Sequence, residues 1–595
     1  MKRTSHPLLT TLLLLGARAS VAEPHPGPQS LAVSPDGKTL YVAAMTAKQV
    51  LFVDAEKAAV TRKTDLPAAP SGLVLSPDGA RLAVACPAPA STIQLLDTGS
   101  GAVVASISAG HTATAPVISP DGKTLYACYR FDGAVGVIDL AAGKETARIK
   151  TAREPISAAL TPDGKFLYVA HHMHDGRSDV DLVAATVSVI DTAAGKVVKQ
   201  LVLPNGSTLL RDIRISPDGK YAAVVHTLAR FQLPTTQLER GWMNTSAVTL
   251  IDTARQEILN SVLLDDVDRG AANPWGVAWT PDGAKLLVTH AGTHELSVID
   301  LPGVLAKLQK ADAANVPNDL AFLVQLRQRI PLGGNGPRAV ALTGTRAWTA
   351  NFFTDDLSVV DLAGTPMTAT RVALGPAVPD SVERQGERWF NDAMICFQNW
   401  QSCASCHSED ARVDGLNWDL LNDGIGNPKN NRSMLLAHKT PPAMSLAIRD
   451  TAEVAVRAGI RFIEFTVQPP EVADAMDAYL KALTPVPSPA LVDGKLSEAA
   501  RRGQALFETS GCADCHPPPL YTDMKQYDLG TTAGMDKGRS VDTPTLIEAW
   551  RTAPYLHDGS KATLEELLGP GRHGQMNDPI KEQDLKDVIE FVRSL

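Results

Sequence analysis

The tetrapeptide Ser34-Pro35-Asp36-Gly37 returns at Ser76, Ser119, Thr161, Ser216 and Thr280, and in degenerate form at Thr343-Gly344-Thr345. Pro presets φ at one corner of a turn and Gly accepts φ > 0 at another, so the motif reads as a backbone device without chemistry of its own. An apolar run lies on each side of the turn. A second landmark follows, an alternating strand that ends in Asp, as at 135–139, 187–191, 296–300 and 357–361. Each copy thus holds four short antiparallel strands. Seven copies in residues 23–377 predict a seven-bladed β-propeller, whose radial closure protects the sheet edges.

The spacing of the turns is uneven. The first four anchors stand 42 or 43 residues apart, and the next gaps are 55, 64 and 63. The extra length falls at 171–184 and 228–245, between the second and third strands of blades 4 and 5. A third insertion, 303–328, is helical in pattern and follows the third strand of blade 6. Ten residues after each anchor stand Ala44, Cys86, Tyr129, His171, His226 and His290, with Asn351 in the shortened seventh copy. His171, His226 and His290 are therefore candidates for a metal, haem-edge or anion site at one mouth of the propeller, with His172, His174 and His294 close in sequence. Imidazole suits copper, zinc or iron. The alternative is that each is a polar residue satisfied by its own blade.

The C-terminal third carries Cys403-Ala404-Ser405-Cys406-His407 and Cys512-Ala513-Asp514-Cys515-His516. Both are C-x-x-C-H, the attachment signature of c-type haem. Two thiols add to one porphyrin and the adjacent His ligates iron. Zinc would require a further Cys/His pair near each motif, and none stands out. The cofactor reading is two covalent haems, held by Cys403, Cys406, Cys512 and Cys515, with His407 and His516 as proximal ligands. Gly386 and Phe390 precede the first motif as Gly503 and Phe507 precede the second, each pair four residues apart on one helical face. Each half closes with an amphipathic helix, 471–483 and 581–595. The region is therefore mainly α and duplicated, with haem domains at 378–485 and 490–595 joined by the stiff linker Thr484-Pro485-Val486-Pro487-Ser488-Pro489.

The formal charge is −9, which argues against nucleic acid and for a small molecule or a redox protein as partner. Three of the seven cysteines, Cys86, Cys128 and Cys396, lie outside the haem motifs, and the sequence leaves their state open. Residues 1–22 read as a signal peptide: Lys2 and Arg3, an apolar core at 8–15, and Ser20-Val21-Ala22 before the cleavage point. No later stretch is long and apolar enough to span a bilayer. The expectation is an exported, periplasmic protein.

The propeller copies resemble the YVTN-type repeats of exported proteins. The two haem motifs, together with Asp542-Thr543-Pro544-Thr545-Leu546 and Thr552-Ala553-Pro554-Tyr555-Leu556-His557-Asp558-Gly559, resemble the dihaem cytochrome c peroxidase superfamily, which includes the dihaem enzymes of methylamine utilisation. The resemblance implies that the first haem cleaves hydrogen peroxide or a similar small oxidant. It also implies that a six-coordinate second haem passes electrons to or from a soluble redox protein or protein substrate. In typical relatives a His in the loop after the first motif caps the iron. Here the loop 408–432 has neither His nor Met, which points to an open first iron, with His438 and Met444 beyond it as rival caps. Glu464, flanked by Phe462 and Phe465, is the candidate acid/base, since apolar neighbours raise a carboxyl pKa; the alternative is a surface Glu. The family's distal ligand of the second haem aligns near Gly571, which cannot ligate, leaving His573 or Met576, with His573 preferred. Trp400, Trp418 and Trp550 are candidates for an electron relay or for packing on porphyrin. The polar run 422–427 is a candidate for the inter-haem Ca²⁺ of relatives, or simply a turn; His557 reads as structural. The reading that competes with an enzyme is a non-catalytic electron-transfer cytochrome whose propeller binds a partner or a metal.

Overall fold

The structure is a computed structural model that describes residues 24–233, 243–408, 410–419, 426–569, 573 and 581–595. The predicted leader, residues 1–22, lies outside them. Seven four-stranded antiparallel sheets follow one another from Pro28 to Ala373, each with its strands in chain order. The propeller has seven blades, as the repeat predicts.

The recurring turn shows why the motif is kept. In the first copy the Ser34 hydroxyl donates to Asp36 Oδ1 (2.6 Å) and accepts from the Thr39 amide (2.9 Å), while Asp36 Oδ1 accepts from the Lys38 amide (3.0 Å). Gly37 sits at φ +69°. The same three bonds recur in the copies at Ser76, Ser119, Thr161, Ser216 and Thr280. Every blade is built from contiguous strands, so the ring closes by side-chain packing. Leu40, Val42 and Leu51 of blade 1 share a core with Trp348, Leu357 and Leu374 of blade 7. Asp355 of blade 7 also ties down the N-terminal segment, accepting from Gly27 N (2.8 Å) and bonding His25 Nδ1 (2.5 Å).

The insertions have different fates. Residues 172–185 run as an irregular loop between the strands Phe166–His171 and Thr186–Asp191. In blade 5 the ends of the insertion extend the ladder instead, with Leu228 opposite Thr245 and Ala229 opposite Asn244. The third carries the helix Leu301–Leu308 and the 3-10 turn Val316–Asn318.

After the propeller the chain is mainly helical and duplicated. In the first half the helices Val382–Asn391 and Pro470–Ala482 cross at Gly386, where a Cβ would collide with the carbonyl of Ala475. In the second half Glu498–Thr509 and Glu582–Arg593 cross at Gly503, where a Cβ would collide with the carbonyl of Asp587. Phe390 packs on Tyr479 and Phe507 on Phe591, with ring centroids 5.5 and 5.3 Å apart. Glycine is required at both crossings because the backbones touch.

Both halves sit on the propeller face formed by the second-to-third and inter-blade loops. Val183, Ala229, Phe231 and Met243 of the propeller form one core with Leu416 and Trp418. Trp400 is buried among Leu228, Ala247, Leu263 and Leu320. Arg153 donates to the carbonyls of Arg551 (2.5 Å) and Ala553 (2.7 Å) of the second half. Among the described residues, no helix is long and apolar enough to cross a membrane.

Candidate haem sites and relatives

Cys403, Cys406 and His407 lie in the wall of a cavity of about 260 Å³ that opens to solvent. Short helices, Ala404–His407 and Cys512–Cys515, carry the two motifs. In each, the proximal His is oriented by the carbonyl five residues on. His407 Nδ1 donates to Arg412 O (3.3 Å) and His516 Nδ1 to Tyr521 O (2.9 Å). Such a bond fixes the tautomer and leaves Nε2 free for a metal. Burial holds His407 at about 4, so the ring is neutral and able to ligate.

Glu464 lines the same cavity and is 2% exposed. Burial raises its carboxyl to about 8, and its Oε2 has no hydrogen-bond partner. Of the flanking rings, Phe462 is 54% exposed, and Phe465 is partly buried against the core that holds Trp418. The thiols, the imidazole and an unpartnered acid in one large cavity fit a covalently held haem.

Of the rival caps, His438 uses one ring nitrogen on a carboxylate, while its Nδ1 is buried without a partner. Its Nε2 bonds Asp477 Oδ1 at 2.9 Å, and Asp477 also accepts from Arg457 at 2.7 Å. Met444 lies in the cavity wall. In the second half, the His573 and His516 rings stand with centroids 6.2 Å apart. That leaves room for one metal between the rings, with two metal–nitrogen bonds of roughly 2 Å each and the rest taken up within the two rings. His573 Nδ1 is buried without a partner. Met576 lies outside the described residues, as does 422–425 of the candidate Ca²⁺ run.

In the rest of that run, Asn427 Oδ1 is buried without a hydrogen-bond partner. Asn427 Nδ2 donates to Asp536 Oδ1 (2.6 Å), and the Lys429 ammonium bridges Asn427 O (3.1 Å) and Asp536 Oδ2 (2.9 Å). Arg539 adds a second cation on Asp536 at 3.0 Å.

The propeller histidines are not brought together as a metal site. His171 bonds Arg153 O (3.1 Å) and Ser188 Oγ (2.8 Å). His226 bonds Thr227 O (3.1 Å) and Thr249 Oγ1 (2.8 Å). His290 bonds Ala271 O and Ser297 Oγ, both at 2.8 Å. Each ring thus spends both nitrogens on its own blade, and Asn351 makes the matching bond to Ser358 Oγ (2.7 Å). All three are fully buried, and burial holds His171 and His226 at about 4 and His290 well below the usual value. Among the described residues no group of three or more His, Cys, Asp or Glu is placed to hold a metal. The equal register that suggested a shared ligand set reflects a repeated strand-to-strand hydrogen bond.

The three tryptophans separate. Trp400 packs into the propeller. Trp550 packs edge-on against Phe131 of blade 3, centroids 5.0 Å apart. Trp418 alone of the three lines the first cavity, and its Nε1 donates to Asp414 Oδ2 (2.8 Å). Asp414 is fully buried, which raises its carboxyl to about 7. Cys86, Cys128 and Cys396 are buried free thiols. Asp414, Arg412 and the propeller's Asn244 were not anticipated; nothing in their local pattern separates them from ordinary loop residues.

A cytochrome c family model matches residues 500–595. The chain is 28% identical over 273 residues to the gamma subunit of hydrazine synthase from Kuenenia stuttgartiensis, covering 36% of this chain and 77% of that protein. It is 33% identical over 184 residues to the beta subunit of the same enzyme, covering 30% of this chain and about half, 47%, of that protein. It is 25% identical over 304 residues to the methylamine utilization protein MauG of Methylorubrum extorquens, covering 39% of this chain and 79% of that protein. A solved Kuenenia stuttgartiensis hydrazine synthase chain superposes with a TM-score of 0.53 at 30% identity, covering 59% of this chain and 99% of that one. These relatives are haem oxidoreductases, and the cytochrome c match implies covalent haem c. The chain is a seven-bladed propeller with a hydrazine synthase-like fold, joined to a mainly helical region that matches cytochrome c over residues 500–595 and has MauG and cytochrome c peroxidases among its relatives.

Proposed function

We propose that the chain is an exported, periplasmic dihaem oxidoreductase that reacts with hydrogen peroxide, or a similar small oxidant, at its first haem and exchanges electrons through its second. The observation that carries this reading is Glu464, a buried acid with one unpartnered oxygen in the wall that also holds Cys403, Cys406 and His407. Bound haem would supply an iron that accepts the oxidant and the electrons that reduce it. The protein's part is proton handling. Glu464 takes the proton from the near oxygen of the peroxide and returns it to the departing one, the general acid/base role. His407, oriented by Arg412 O, would hold the iron.

His516 and His573 give the second site two imidazoles, which suits a six-coordinate electron-transfer centre. The test is Glu464→Gln in the holoprotein. Peroxide should react at least about a hundredfold more slowly with haem content unchanged; a wild-type rate would remove the catalytic reading and leave an electron carrier.

A further inference from the structure

The lengthened strand of blade 5 ends in a contact with the first haem motif. Asn244, 2% exposed, stands where the insertion rejoins the ladder opposite Ala229. Its Nδ2 lies 3.1 Å from Cys406 Sγ and 3.1 Å from Gln401 Oε1. Both amide protons are therefore given to the haem region. Gln401 lines the cavity and passes the connection on, its Nε2 donating to Ile463 O at 2.8 Å. Ile463 immediately precedes Glu464, whose own carbonyl accepts from Phe397 N (2.9 Å).

We propose that Asn244 is a positioning residue for the first haem centre, holding the haem-bearing sulfur directly and the main chain of Glu464 through Gln401. The proposal rests on the function above for its link to peroxide, while the contact with sulfur stands independently of it. A donor aimed at a sulfur bound to the porphyrin withdraws electron density, and hydrogen bonds around a cofactor set its potential. The geometry also accounts for the extra length of blade 5, whose strands reach the haem motif because the insertion lengthens them. The neighbouring Met243 packs with Trp418 and Cys406 in the same core.

The experiment uses the full-length holoprotein with Asn244→Ala and the isosteric Asn244→Asp, which keeps the shape and removes the donor. Reduction potentials of both haems are measured by spectroelectrochemistry, and the first haem is followed by electron paramagnetic resonance. A lowered potential and altered signal at the first haem, with the second unmoved, are expected in both variants. Gln401→Ala should leave the potential at the wild-type value and slow the peroxide reaction between about 10- and 100-fold, the cost of a misplaced acid. If the alanine variant does not accumulate with haem, the aspartate variant decides. A first-haem potential and signal equal to wild type overturn the proposal. If Glu464→Gln reacts normally with peroxide, the peroxide reading fails while the potentials still decide the role of Asn244.

Discussion

Arg412 and Glu548 form a two-pronged ion pair across the seam between the haem halves. Nε and Nη2 of the guanidinium meet Oε2 and Oε1 at 2.7 and 2.9 Å, with the side chains 4% and 0% exposed. The carbonyl of the same Arg412 accepts from His407, so the seam and the proximal ligand share one residue. Glu548 also accepts from Val486 N of the linker (2.5 Å).

Removing one member of this pair strands the other in a dry environment. Glu548→Ala should therefore cost about 3–5 kcal/mol, read as a shift in the denaturant midpoint of the holoprotein. It should also perturb the first haem more than the second, since Arg412 loses its anchor. A midpoint within error of wild type would mean that water reaches the pair.

Glu464 makes stability depend on pH in a defined direction. Its folded value of about 8 lies above the 4.5 of an exposed Glu. The folded state thus keeps a proton that the unfolded state loses, and stability from this group falls as pH rises from 4.5 to about 8, then levels off. Glu464→Gln should flatten the urea midpoint across that window. The rate of reaction with peroxide should rise as pH passes about 8, where the carboxylate becomes available as a base, and this rise should vanish in the variant.

The second site makes a spectroscopic prediction. His573→Gly should convert the second haem from low to high spin, and added imidazole should restore it. Met576→Ala should leave the spectrum unchanged. A low-spin second haem in His573→Gly would transfer the ligand role to another residue. Met444→Ala serves the same purpose at the first site: an unchanged high-spin signal there shows that the Met444 sulfur is not on the iron.

The propeller histidines should behave as framework. His226→Ala removes the ring's bonds to the Thr227 carbonyl and to the Thr249 hydroxyl, which keeps only Ser261 Oγ at 2.6 Å. The expected cost is about 1–3 kcal/mol in thermal unfolding, with metal content unaltered. A loss of bound metal in this variant would restore the idea of a metal site in the propeller.

The legible part of the chain was the part governed by period and spacing. The Ser34-Pro35-Asp36-Gly37 turn repeats because each blade needs the same backbone corner, and seven corners announce seven blades. The paired glycines, Gly386 and Gly503, mark helix crossings for the same reason. The misreading of His171, His226 and His290 came from treating equal register as convergence. In a propeller, equal positions on successive blades are related by rotation about the axis, and here each ring turns toward its own neighbouring strand. Glu464 was legible as an acid in apolar company, although its burial is tertiary and Phe462 faces solvent. Arg412, Glu548 and Asn244 were illegible because each acts through a partner at least 136 residues away, and no local pattern encodes such a pairing.

Cys406 is backed by Asn244 and by the core of Val183, Phe231 and Met243. An enzyme that joins porphyrin to thiols needs an open, pliable pentapeptide, and this wall denies it access once the domains have met. A porphyrin joined to Cys406 would therefore have to be attached before the C-terminal region settles onto the propeller face.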